Sequence, residues 1–489
     1  MPTTQLYAQD LEPSLAFAET YVTRRRPTYI DAPALLGFMF VLLTIVPARF
    51  IVPGMTDLGR PGLVVGFLFF AWWLVAHFSP RLVMPGPQPM RWAFLFFFLS
   101  LTLSYAAGSL RGLTSMEANG ADRTMLYFCV FGGVLLAAAD GIPNWFRLRD
   151  LLKILVTCGT IVALIALVQY TTEIDLTKYL ALPGLEAKGW TPTYEERGAG
   201  IRVASTTTHY IELAAFLATC LPFALHFAIF GRRPGRRLMA GVASAVMLGG
   251  VAATISRTGV LAVAIVCATL CLVWTWRTRF NLAVIGAGLM AMVAVTSPGM
   301  WRTMTTLFED PSSNPAFTVR QARYPMAFHY IAERPWLGRG TGTWIAPQYQ
   351  VMDNQWLDTL LMNGFVGAVA MAALHLTGIV LAILAWRRAT RREDRHLAAA
   401  LVATQVTGLL VAGTFDSMSF MTYSTTLALT LGLCGTIWRL THPARTVRTS
   451  TTRWFSEGRN APPRPAADRS PAGTAQQPSV RTATSSAPA

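Results

Sequence analysis

Arg257 stands in Ala253-Thr254-Ile255-Ser256-Arg257-Thr258-Gly259, between two apolar runs with almost no polar linker. A guanidinium at the edge of an apolar layer is expensive to place, so it normally has a partner or a task. Its five fixed donors grip phosphate oxygens two at a time, so diphosphate chemistry would suit it. The plainer reading is a snorkelling interfacial arginine. Arg202 opens a second cluster, Gly200-Ile201-Arg202-Val203-Ala204-Ser205-Thr206-Thr207-Thr208-His209-Tyr210-Ile211-Glu212, which runs directly into an apolar stretch. A hydroxyl-rich backbone before a helix N-terminus can hold an anion; its plainer role is an N-cap with spare threonines. His209 alone fits a hydrogen-bonding structural histidine. Glu212, one turn further on, is the better candidate for a base.

A third cluster fills the polar stretch 298–355. Arg320, Arg323, Arg334 and Arg339 lie within twenty residues of one another, with His329 and Glu333 among them. Such a group is either a solvated face or a set of secondary ligand contacts. Trp336-Leu337-Gly338-Arg339-Gly340-Thr341-Gly342 carries three alternate glycines, a tight turn that does not follow the strand–turn–helix pattern of a phosphate-binding loop. Asp353-Asn354 then precedes nine residues and Gly364-Phe365-Val366-Gly367. Asp353 reads most simply as an N-cap carboxylate favoured by the helix dipole, and the glycine pair as close helix packing.

No His/Cys/Asp metal set, nucleophile elbow or Walker motif is present, and Glu173-Ile174-Asp175 is a weak substitute for a metal-binding acidic pair. Neither a metal nor another cofactor is therefore expected, and charge on a phosphorylated substrate would be met by arginine.

These residues must be positioned by membrane helices. The chain is 53% hydrophobic and only 13% charged, too few charges to cover the surface of a water-soluble domain. Apolar segments near 33–52, 61–79, 91–109, 122–139, 150–170, 209–230, 237–255, 258–276, 279–297, 356–386, 396–414 and 420–438 predict an all-α polytopic membrane protein with about twelve transmembrane helices. The run 356–386 is long for one crossing. The net charge of +16 is carried almost wholly by arginine, since only three basic residues are lysine. It reads as positive-inside topology and gives no reason to expect a nucleic-acid partner.

Every second loop is basic: Arg24–Arg26, Arg81 and Arg91, Arg147 to Lys153, Arg232 to Arg237, Arg277 and Arg279, Arg387 to Arg395, then Arg439, Arg445 and Arg448. Both termini are thus expected in the cytoplasm, with all long loops on the other face. The expected organisation is a cytoplasmic segment 1–30 without a cleavable signal, then nine helices over 31–297 with an outer loop at 171–208. A large extracytoplasmic loop, 298–355, three helices over 356–440 and a disordered cytoplasmic tail over 441–489 follow. The stretch 4–22 could form a short interfacial helix. All six cysteines lie in apolar runs, which argues against a disulfide framework.

Three motifs together resemble the O-antigen ligase and O-antigen polymerase superfamily of bacterial membrane glycosyltransferases. They are Arg202-Val203-Ala204-Ser205-Thr206-Thr207-Thr208-His209-Tyr210, the Ser256-Arg257-Thr258-Gly259 turn, and Asp353-Asn354-x9-Gly364-Phe365-Val366-Gly367. Order, spacing and sidedness all follow the family. The departure is Asp353, where the family usually has histidine; a carboxylate can accept a proton but cannot offer positive charge to a phosphate.

The resemblance implies a fold like the C-type glycosyltransferases, sited in the cytoplasmic (inner) membrane with its active site on the outer face. The donor would be a glycan on undecaprenyl diphosphate, attacked at its anomeric carbon by a hydroxyl of a glycan, lipid or protein acceptor, among membrane lipid and without a metal. Arg257 and Arg202 would hold the diphosphate, with Arg320, Arg323 and Arg339 as secondary contacts and His209 and Asn354 nearby. Asp353, or else Glu212, would position or deprotonate the acceptor. Trp336, Trp344 and Trp356 could stack on sugars or serve as plain interfacial aromatics. Ligase and polymerase share this chemistry and are not separated by the sequence. A transporter or flippase of lipid-linked sugars is the alternative, although no inverted repeat or matched pair of broken helices is visible. An envelope-assembly scaffold is a third.

Overall fold

The computed structural model describes residues 31–55, 57–78, 87–188, 194–197, 200–296, 298, 315–346 and 348–442. The expected interfacial segment 4–22, the C-terminal tail and the first part of the 298–355 stretch lie outside them. Within these bounds the protein is mostly helical. The helices are α1 (Ala32–Ile45), α2 (Pro61–His77), α3 (Pro89–Arg111), α4 (Ser115–Gly141), α5 (Trp145–Thr172), α6 (Tyr210–Phe230), α7 (Pro234–Ala253) and α8 (Arg257–Cys271), then α9 (Trp276–Thr296), α10 (Pro315–Glu333), α11 (Gln355–Arg388), α12 (Arg392–Val411) and α13 (Met421–Thr441).

Two short antiparallel ribbons complete the described elements. Strand β1 (Phe50–Ile51) pairs with β2 (Glu186–Ala187), and β3 (Tyr194–Arg197) with β4 (Gly200–Val203), which sets Glu195 opposite Arg202.

Six helices, α3 to α7 and α11, are long and apolar enough to cross a membrane; α1, α2 and α8 are shorter apolar helices. Helices suit such surroundings because each satisfies its own backbone groups. The first predicted span, 33–52, is cut short: α1 ends at Ile45, and Val46 turns extended before Pro47, which disfavours helical geometry in its predecessor. α4 begins earlier than predicted, at Ser115, because Thr114 and Glu117 form a capping box. That extension places Asn119 on a helix. α13, read from sequence as one span among others, is buried along nearly its whole length. Its hydroxyls bond inward, with Thr436 Oγ1 donating to the Ala138 carbonyl at 2.6 Å and Thr430 Oγ1 accepting from Gln405 at 2.9 Å.

The excess length of α11 has a physical explanation. Gly364, at φ 61° and ψ −167°, interrupts the 34-residue helix. The portion after it, 365–388, is long enough at 1.5 Å per residue to run roughly 36 Å, about the span of a bilayer core. A helix broken in apolar surroundings leaves backbone groups unsatisfied. Here the segment after α10 supplies the partners. Arg339 N donates to Leu361 O at 3.0 Å and Gly340 N to Met362 O at 2.9 Å, while Phe365 N donates to Pro335 O at 2.8 Å and Val366 N to Trp336 O at 3.1 Å.

The two backbones are so close that a Cβ on Gly338 would lie 2.3 Å from Met362 O, and one on Gly364 2.4 Å from Trp336 C and O. Both glycines have positive φ as well. The glycine pair at 364 and 367 therefore marks a break in one helix, not close packing between two.

Gly364→Ala should lower the melting temperature sharply, since the backbone geometry alone costs about 1–3 kcal/mol before the collision with Trp336 is counted. Gly286→Ala, where nothing lies within 4 Å, should leave melting unchanged or slightly raised. Thermal unfolding of both variants in detergent checks this; equal melting points would remove the constraint from Gly364.

Candidate functional site

Four helices begin at one end of the molecule. α6, α8, α11 and α13 all meet the turn that joins α12 to α13, residues 412–420. Thr258 Oγ1 donates to Thr414 Oγ1 at 3.2 Å. Gln355 N donates to Ala412 O and Phe415 O at 2.8 and 3.1 Å, and Met418 N donates to Gln355 Oε1 at 2.7 Å. The His209 ring lies 5.5 Å from that of Phe420. The three motifs, well separated in sequence, therefore sit around one short turn.

Arg202 is buried at the end of β4, with its guanidinium 4.5 Å from the centre of the Tyr210 ring. His209 is the N-cap of α6 and its Nδ1 accepts from Ile211 N at 3.2 Å, so the neutral ring carries its proton on Nε2. Glu212 is fully buried and both of its oxygens are engaged. Oε2 accepts from Thr208 N at 2.9 Å and Thr208 Oγ1 at 2.5 Å; Oε1 accepts from Thr422 N at 2.7 Å and Tyr423 N at 3.4 Å. α13 has no side-chain cap of its own, so Glu212 caps it from a neighbouring helix. This is a bracing role, and it leaves little of the carboxylate for proton transfer.

Arg257 is the first residue of α8, half-buried behind the Ser256 cap. The preceding Ile255 adopts a positive φ of 46°, which turns the chain tightly enough to present Arg257 at this end. A cation at a helix N-terminus opposes the helix dipole. Helix stability therefore does not account for the position of Arg257; an anion bound there would reverse the balance.

At α11 the cap is Asn354, not Asp353: Asn354 Oδ1 accepts from Trp356 N at 3.0 Å and Leu357 N at 3.3 Å. Asp353 lies just outside the helix with φ 23°, its carboxylate 3.7 Å from Arg323 Nη1. Arg323 also donates to Val351 O. Arg339 is held between the rings of Tyr330 and Tyr349, at 4.7 and 5.4 Å, and donates to Tyr349 Oη at 3.0 Å. Glu333 lies 3.6 Å from its Nη1, and Arg111 donates to its carbonyl. These contacts tie Arg339 to α10 and α3. The side chain of Arg320 lies outside the described residues. Trp336 is exposed, and Trp356 Nε1 donates to Leu409 O at 3.2 Å.

A cavity of about 570 Å³ opens beside the same turn. Its walls are α3, α4, the segment 341–352, the first half of α11 and residues 416–421. Trp344 lines it, as do Asp358, Asp416, Asn119 and Arg123, none of which figured among the expected site residues. Arg202, Arg257 and Asp353 lie outside its lining. Asp358 carried one usable sequence signal, an acidic side chain one turn inside an apolar run.

Residues 242–372 match the family model described as O-antigen ligase, which supports the resemblance to the O-antigen ligase and polymerase superfamily. The match takes in the Arg257 turn and the Asp353-to-Gly367 stretch, while Arg202 to Glu212 precede it. It supports glycosyl transfer in polysaccharide assembly. No curated protein matches the chain.

The bracing role of Glu212 makes a clear prediction. Glu212→Gln should lower stability by about 1–3 kcal/mol, because an amide cannot accept at both ends. Melting of the purified variant measures it; unchanged melting with lost transfer would return Glu212 to the chemistry.

Proposed function

We propose that this protein transfers a glycan from undecaprenyl diphosphate to an acceptor hydroxyl on the extracytoplasmic face of the cytoplasmic membrane, as an O-antigen ligase or polysaccharide polymerase. The observation that carries this reading is the gathering of four helix N-termini and two arginines around residues 412–420 in a chain with an O-antigen ligase domain. Arg202 and Arg257 beside these helix N-termini, one of which Glu212 already caps, favour a multiply charged anion, and a lipid diphosphate supplies one. When the acceptor oxygen attacks the anomeric carbon, the bond to the diphosphate breaks and negative charge grows on the leaving group. Arginine held at that point stabilises the growing charge without a metal.

Sidedness supports the same reading. α11 runs from the site to Arg387 and Arg388, α13 to Arg439, and α6 to Arg232 and Arg233. If basic ends face the cytoplasm, the site faces outward. In this arrangement the described residues 315–346 and 348–355 stand on the outer side, and the Asp353–Arg323 pair orients the start of α11.

Cells lacking the protein should accumulate lipid-linked glycan, and the wild-type gene should clear it. Single units on the lipid would mean polymerase; long lipid-linked chains without mature product would mean ligase. Glycans trapped on the cytoplasmic side would favour a flippase, and an unchanged profile would remove the protein from this pathway. Arg257→Ala should reduce transfer at least about a hundredfold while the protein remains inserted and folded. Arg257→Lys should restore only part, because lysine keeps the charge without the bidentate geometry. Full activity in Arg257→Ala would sink the diphosphate assignment.

A further inference from the structure

The cavity beside the 412–420 turn is separate from the two arginines, and its walls have a composition of their own. Trp344 and Phe128 offer flat apolar faces, while Asn119, Asn363 and Thr359 offer amides and a hydroxyl. Sugars are bound by such mixtures, with their C–H faces against rings and their hydroxyls on amides and carboxylates. Asp358 lines this space from the first half of α11 and is only 7% exposed. Among the described residues it forms no ion pair. Asp353, in contrast, is more exposed, paired with Arg323 at 3.7 Å, and outside the cavity lining.

Resting on the glycosyl-transfer reading above, we infer that this cavity is the acceptor pocket, that it takes a sugar residue, and that Asp358 is the base receiving the proton of its attacking hydroxyl. The acceptor O–H bond breaks toward an Asp358 oxygen, the acceptor oxygen bonds to the anomeric carbon of the donor, and the electron pair of the departing C–O bond leaves with the diphosphate. Atoms and charge balance without another reactant. The arrangement divides the site across one turn. Thr414 faces the Arg257 side through Thr258, and two residues further on Asp416 lines the cavity. The break at Gly364 completes the pocket, since Asn363, immediately before it, accepts from Thr341 Oγ1 at 2.5 Å and both residues line the space.

The test uses the full chain, purified, and membranes from cells lacking it, which hold the natural donor and acceptor. Two quantities are measured: binding of undecaprenyl diphosphate to the purified protein, and glycan transfer after the protein is reconstituted into those membranes. Asp358→Asn should bind undecaprenyl diphosphate as the wild type does and lose transfer about 10²–10⁴-fold. Asp358→Glu should keep measurable transfer with an altered pH profile. Asn119→Trp, at an exposed position on the opposite wall, should block the pocket and abolish transfer with binding of undecaprenyl diphosphate unchanged.

A product on a mature acceptor would make the pocket's sugar that of a final acceptor glycan, and lengthened lipid-linked chains would make it that of a second donor chain; both support the pocket. Wild-type transfer in Asp358→Asn, or loss of undecaprenyl diphosphate binding together with transfer in both variants, overturns the inference. Failure of the wild-type protein to bind undecaprenyl diphosphate would overturn the functional reading beneath it.

Discussion

A helix in apolar surroundings can be broken only if something else satisfies the backbone groups it releases. In this protein that condition is met at one place, where residues 335–340 exchange four backbone hydrogen bonds with 361–366 of α11. The rest of this end depends on that exchange. It fixes the segment after α10 against α3 and α4, sets the direction of the first half of α11, and leaves beside it the space lined by Asp358 and Asn363. Gly338 follows from the same constraint, because the backbones approach more closely than a Cβ allows, while Gly340 and Gly342 admit the close approach of Gly108 of α3 and Gly120 of α4.

The second organising feature is the short turn between α12 and α13. Its backbone and hydroxyls take contacts from α8 and α11, its Phe420 ring packs on His209, and the helix it introduces is capped by Glu212 of α6. Such a junction keeps four helix N-termini together although their dipoles repel one another at close range. Glu212 offsets part of that repulsion where it caps α13, and Arg202 and Arg257 stand beside the same junction. At the opposite end two ion pairs are buried or partly buried: Arg149 lies 2.6 Å from Asp394, and Arg91 lies 3.0 Å from Asp140.

Hydropathy, the arginine pattern and three short motifs were legible in the sequence, because helix length, loop charge and glycine spacing are local properties written in consecutive residues. They located the helices to within a few residues in most cases and singled out Arg202, Arg257 and the Asp353-to-Gly367 stretch. Local reading could not see contacts whose partners lie far along the chain. Glu212 read as a candidate base, and its contacts with Thr422 and Tyr423, some two hundred residues away, could not be read locally. Asp353 resembled a cap until Asn354 was seen to do that work. Gly364 resembled a packing residue because the segment it meets lies across a loop.

What the sequence alone determined was a helical membrane chain and the chemical character of its motifs, since burial of apolar side chains and positive-inside bias need no knowledge of neighbours. Only the tertiary structure decided that three motifs share one turn, that α11 is broken, and that Asp358 lines a cavity Asp353 does not. Those are statements about distance between residues remote in the chain, and distance is set by packing, not by order.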